Sequence, residues 1–199
     1  MPENARTVSR PERIAVYAGV FDPPTLAHMA VIQQALGLFD KLVVVVAHNP
    51  SKSDTMFSAA ERVQLVRDSL TEEMHGRVDV MAHAGLIAPL AGELGACALV
   101  RAMRPVTDPD YEIALALMNQ KLAPAIPTVL LVARSDMVYL SSTFVRDVAR
   151  LGHSIVPESV PAPVVRALRE RFPEHTRSDN GASELAREPG PGLVLKSDQ

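Results

Sequence analysis

The stretch from Leu42 to Ala47 reads L-V-V-V-V-A, and it restricts the fold more than any other part of the chain. A β-branched run with no polar alternation is the pattern of a strand buried on both faces, which in practice means a parallel strand covered by helices on either side. Its neighbours fit that role. Ile14 to Tyr17, Val78 to Ala82, Cys97 to Val100 and Thr128 to Ala133 are further strand-like runs. Between them lie helical patterns. One covers Leu26 to Leu38 with Met29, Ile32, Gln33 and Leu36 on one face, and another runs from the Ser58-Ala59-Ala60-Glu61 capping box to about Leu70. After a loop at Gly85 to Pro89 a short helix is expected over Leu90 to Leu94; Asp108 to Tyr111 then leads into a long apolar helix ending near Leu122, and further helices cover Thr143 to Leu151 (stopped by Gly152) and Pro161 to Phe172. Strands alternating with helices predict an α/β chain, a Rossmann-like parallel sheet with helices on both faces.

With 199 residues, 47% of them hydrophobic, the chain can bury a single core. We expect one domain over 13–172, a flexible leader over 1–12, and a disordered tail over 173–199 that is rich in Gly, Pro, Ser and charge. A net charge of −3 offers no basic surface for nucleic acid. Cys97 is the single cysteine, which excludes an intrachain disulfide; within the apolar run Ala96 to Val100 it reads as a core residue. No stretch is apolar enough to span a membrane, and the first residues lack the apolar segment of a signal peptide, so a soluble cytoplasmic protein is expected.

Ligands of open parallel sheets sit at the carboxyl ends of the strands, where the strand order reverses. His28, Lys52, Arg101, Arg104 and Ser141 to Thr143 all follow predicted strands and should converge on that edge. After the first strand come Gly19 and a turn marked by Asp22, Pro23 and Pro24, with Thr25 as N-cap, which puts His28 in the first turn of a helix. A helix N-terminus attracts anions. Two arginines and a lysine with few carboxylates nearby would attract a polyanion, and the hydroxyls of Ser141 to Thr143 would add a second phosphate clamp. Taken singly, His28 fits an ordinary surface position, each cation a solvated one, and the serine run a simple N-cap. Neither G-x-x-x-x-G-K-[ST], G-x-G-x-x-G nor a serine nucleophile elbow occurs, and His48, His75, His83, His153 and His175 have no metal-ligand spacing.

V-F-D-P-P-T-L-A-H, N-P-S-K, R-A-M-R-P-V-T-D-P-D-Y-E, M-N-Q-K-L and L-S-S-T-F-V-R stand in this order between Arg13 and Phe172. In this the chain resembles the bacterial phosphopantetheine adenylyltransferases, nucleotidyltransferases with HxGH and ISSS-type motifs. The resemblance implies transfer of AMP from ATP to 4′-phosphopantetheine, giving dephospho-coenzyme A and pyrophosphate. It implies His28, Lys52 and Arg104 as catalytic residues. It implies an ATP site of Gly19, Val20, Phe21, His28, Ala102, Met103, Arg104, Glu112, Met137, Leu140, Ser141, Ser142 and Thr143, with Glu112 near the ribose or adenine. The phosphopantetheine side would comprise Val20, Lys52, Leu86, Ile87, Arg101 and Asn119. Mg2+ would accompany ATP, coenzyme A would be a feedback ligand, and the assembly would be a homo-oligomer, by resemblance a hexamer. Nicotinate mononucleotide is the alternative acceptor, CTP an alternative donor, and a weakly catalytic nucleotide- or coenzyme A-binding protein the alternative class.

Several positions depart from the pattern of the resemblance. Val20 stands where a threonine is usual and cannot donate a hydrogen bond, Ala27 and Ala102 replace glycines, and Met137 replaces an aromatic residue. If position 102 needs a positive φ, alanine would strain it. These changes suggest slow turnover or an altered acceptor.

Overall fold

The computed structural model describes residues 10–48, 55–104, 109–137, 139–151 and 158–173. Five parallel strands, β1 (Ile14–Gly19), β2 (Lys41–Ala47), β3 (Val78–His83), β4 (Ala98–Met103) and β5 (Thr128–Val132), form one sheet in the order β3-β2-β1-β4-β5. The order reverses between β1 and β4, so the crevice predicted for a ligand opens at their carboxyl ends. The helices are α1 (Leu26–Leu36), α2 (Ala59–Asp68), α3 (Ile87–Glu93), α4 (Pro109–Leu122), α5 (Ser142–Arg150) and α6 (Ala162–Arg171).

Side chains alternate across the sheet, as the period of a strand demands. Ala15, Tyr17, Leu42, Val44 and Val46 face the layer containing Ile32 and Val66, from α1 and α2. Val16, Ala18, Val43 and Val45 face the opposite layer, with Ala88 and Leu90 of α3 and Leu99. The uninterrupted valines of β2 are thus explained: both faces are covered, and each fully buried valine contributes roughly 1.5–3 kcal/mol. A third apolar cluster joins Met56 and Phe57 to Val145 and Ala149 of α5 and Val164 and Leu168 of α6. No helix among the described residues is long and apolar enough to cross a membrane.

Some expectations need correction. α3 begins at Ile87 rather than Leu90, because Pro89 sits in its first turn, where the missing N–H would be unpaired anyway. β4 runs on through Met103, since Arg101 to Met103 pair with Leu130 to Val132 of β5. Arg101 therefore lies within a strand, not beyond it. Cys97 is exposed, immediately before β4. On α1, Gln33 is exposed, while Val31 and Ala35 join the buried face. Gly152, most of the leader and nearly all of the tail lie outside the described residues; Arg10, from the leader, pairs with Asp40 at 2.6 Å.

Candidate active site at the β1–β4 crevice

β1 ends at Gly19, where a side chain would collide with the ring of Phe21: a Cβ there would come within 3.0 Å of it. Phe21 takes a left-handed φ of 51°, the one non-glycine residue among the described residues to do so. Its buried ring lies edge-on to Tyr17 at 5.4 Å and edge-on to the His28 imidazole at 5.0 Å. The following turn contains a cis Asp22–Pro23 bond.

Thr25 caps α1, and His28 is the third residue of the helix. Here the imidazole does what a glutamate usually does in a capping box. Its Nδ1 accepts the Thr25 backbone N–H at 2.9 Å and lies 2.9 Å from the Thr25 hydroxyl. A backbone N–H can only donate, so Nδ1 is unprotonated and the hydrogen of the neutral ring is on Nε2. Burial, with the Arg104 guanidinium as a second cause, lowers the imidazole from 6.5 to about 4. His28 is thus a neutral donor through Nε2–H. Burial also raises the Tyr17 phenol, although the charges of Arg101 and Arg104 oppose this, so Tyr17 is a neutral hydroxyl beneath the site.

The second helix N-terminus lies against the same turn. Ser141 caps α5 by accepting the Phe144 N–H at 3.1 Å. The Ser142 hydroxyl donates to the Pro23 carbonyl at 2.8 Å, and Arg146 donates to the Asp22 carbonyl at 2.6 Å. The hydroxyl of Ser142 therefore serves as a tie between the two turns, and Thr143 accepts from Arg146 at 3.2 Å. Leu140 is buried behind the cap, and Met137 closes a short 3-10 turn.

Arg104 follows β4 and shares the Tyr17–His28 neighbourhood. Arg101 behaves otherwise. Its guanidinium meets the buried Glu112 carboxylate two-pronged, at 2.8 and 2.9 Å, and donates to the Ala18 carbonyl at 2.9 Å. The expectation of cations with few carboxylates nearby is corrected: Glu112 engages Arg101, and its charge also acts on Tyr17. Ala102 lies inside β4, away from any left-handed conformation, so the strain considered for it is absent. Met103 completes the strand and Val20 is exposed at the mouth of the crevice. Lys52 lies outside the described residues.

On the opposite face of the sheet a cavity of 180 Å³ is lined by Leu86, Ile87, Arg101, Met118 and Asn119, with Ala18 at the β1 side. Four of the residues expected on one substrate's side are thereby brought together. Most of its wall is aliphatic, with the Asn119 amide and the Arg101 side chain as the polar points.

A profile described as cytidylyltransferase-like matches residues 16–148. A phosphopantetheine adenylyltransferase of Desulforudis audaxviator is 45% identical over 80% of this chain and 96% of its own. One from Thermotoga neapolitana is 42% identical over 82% and 99%. The chain belongs to the phosphopantetheine adenylyltransferase family. Membership makes it a nucleotidyltransferase. Its fold also matches a Vibrio parahaemolyticus structure described as a nicotinate-nucleotide adenylyltransferase, with a TM-score of 0.57 at 19% identity over 81% of this chain and 93% of the other. That likeness concerns the fold alone.

Three residues to which the sequence assigned no role in the site brace the segment that follows β1: Asp22, Arg62 and Arg146. Asp22 is buried and accepts the Met56 and Phe57 N–H groups at 2.8 and 2.9 Å. It had been legible only as a turn marker. Arg62 sits in the middle of a helix that reads as amphipathic, and nothing in its spacing separates it from solvated neighbours.

Proposed function

We propose that this protein transfers AMP from ATP to 4′-phosphopantetheine, releasing pyrophosphate and forming dephospho-coenzyme A. The named relatives carry the reading, and a neutral imidazole near Arg104, with an aliphatic cavity on the other face of the sheet, supports it. The acceptor phosphate attacks the α-phosphorus in line, with no covalent intermediate on the protein. What the protein supplies is placement of two polyanions and compensation of the charge that grows in the transition state.

In this reading the His28 Nε2–H donates to an α-phosphate oxygen, Arg104 holds the triphosphate, and Lys52 meets the attacking phosphate. The α5 N-terminus at Ser141 to Thr143 takes the β- and γ-phosphates. The pantetheine arm lies along Leu86, Ile87 and Asn119, and the Arg101–Glu112 pair presents a polar but largely neutralised wall to it. Among the described residues no three His, Cys, Asp or Glu side chains are arranged to hold a metal ion. Mg2+ in this reading comes with the nucleotide and lowers the repulsion between donor and acceptor. The exposed apolar residues Tyr111, Ile113, Leu117 and Met118 on α4, beside the edge strand β5, support a homo-oligomer. Such a reaction belongs in the cytoplasm.

The test is pyrophosphate release with ATP and each candidate acceptor. Turnover with phosphopantetheine, well above that with nicotinate mononucleotide and lost when CTP replaces ATP, is expected. Tight binding of ATP or coenzyme A without turnover would instead make this a binding protein.

A further inference from the structure

Arg62 is only 2% exposed, although it lies on α2, outside the crevice. Its guanidinium donates to carbonyls from three separate places. Nη1 reaches the Val20 carbonyl at 2.7 Å and the Ala47 carbonyl at 3.2 Å, and Nε reaches Phe57 at 3.1 Å, with Ser58 at 3.4 Å. Burial works against its charge, and nearby Asp22 acts in the opposite sense. Asp22 in turn accepts the N–H groups of Met56 and Phe57. The end of β1, the end of β2 and the start of α2 are thus joined through one cation and one anion. Burying a charge is costly unless its hydrogen bonds are satisfied, and the planar fork of arginine suits a site of several carbonyls in a way a point charge does not.

We infer that Arg62 is a positioning residue for His28, acting through the Val20 carbonyl and the left-handed Phe21. The bond from Nη1 fixes the orientation of the peptide between Val20 and Phe21, the peptide that sets the unusual φ of 51°. A bulky residue in that conformation persists only where its surroundings over-determine it. With Phe21 so held, its ring supports the imidazole edge-on, and Nε2–H keeps its aim. This inference rests on the adenylyl-transfer reading for its rate effect, but not for its structural link.

The test uses the full-length chain carrying Arg62→Lys, which keeps the charge and loses the fork. Two readouts are taken. Hydrogen exchange should rise at Phe21 and in the segment that follows Gly19, with the central strands unchanged. In the assay, kcat should fall at least tenfold while the KM for ATP changes by less than about threefold, and the same substitution placed on His28→Ala should lower kcat no further. Should Arg62→Lys not fold, Arg62→Gln is read in the same way. A variant with lower thermal stability but wild-type kcat, or one whose effect is fully retained without His28, would overturn the proposal. If the wild-type chain itself transfers nothing to phosphopantetheine, the functional reading fails, and exchange at Phe21 alone decides the link: unchanged exchange overturns it.

Discussion

His28 should stay neutral in the free protein down to about pH 4, and this can be read as stability. In the unfolded chain the imidazole takes up a proton near pH 6.5, whereas in the folded chain burial and Arg104 hold it to about 4. Above pH 6.5 both states are neutral and nothing is lost. As pH falls below 6.5 the unfolded chain binds a proton that the folded one refuses, so stability declines until about pH 4 and then levels. The full difference corresponds to about 3 kcal/mol, and most of it would be expressed by pH 5. The ring is half-buried rather than sealed, so solvent screening reduces the expected loss at pH 5 to about 1–2 kcal/mol. His28→Asn removes the titration while leaving an oxygen that can accept the Thr25 N–H. Denaturant unfolding of both proteins at pH 7.5 and pH 5 isolates the effect. The wild type should lose about 1–2 kcal/mol more than the variant, or about 3–6 °C in Tm. Equal losses in the two proteins, or a His28 ring resonance titrating near its ordinary value by NMR, would refute the account of burial and the tautomer drawn from it.

Three other outcomes follow from the site. His28→Ala should lower kcat by about 100- to 1000-fold, as for loss of one preorganised donor, with ATP affinity by calorimetry changed only a few-fold. Glu112→Ala strands the Arg101 guanidinium in a mostly buried place and should cost about 2–4 kcal/mol of unfolding free energy, measured in urea; a loss below about 0.5 kcal/mol would mean the pair is solvated. Asn119→Leu removes the amide of the aliphatic cavity and should raise the KM for phosphopantetheine about tenfold, leaving that for ATP within twofold, in steady-state assays.

Much of the architecture was legible because burial on two faces leaves a plain mark. The valines of β2 demanded cover on both sides, and the Ser58 to Glu61 box marked the start of α2 with the bonds now seen, Ser58 N–H to Glu61 at 2.7 Å and Glu61 N–H to Ser58 at 3.2 Å. Strand ends were less legible. β4 outran its apolar residues because pairing with β5 carries Arg101 along, and no local pattern announces a neighbour. The same limit hid the partnership of Arg101 with Glu112, which stand 11 residues apart in the sequence. His28 was legible from its place behind a capping threonine; Arg62 was not, since its role depends on carbonyls contributed by distant segments.

The crevice is also tied to the far end of the chain. The Leu26 N–H donates to the Ser159 carbonyl, and Arg171 donates to the Met56 carbonyl while its guanidinium covers the Phe57 ring at 4.5 Å. The five described strands are complete by Val132, yet the turn ahead of His28 and the segment that meets Asp22 gain these partners from residues beyond 158. During synthesis, therefore, a nascent chain that has already paired its five described strands still lacks these braces. Those braces arrive late, with α6 and the turn that precedes it.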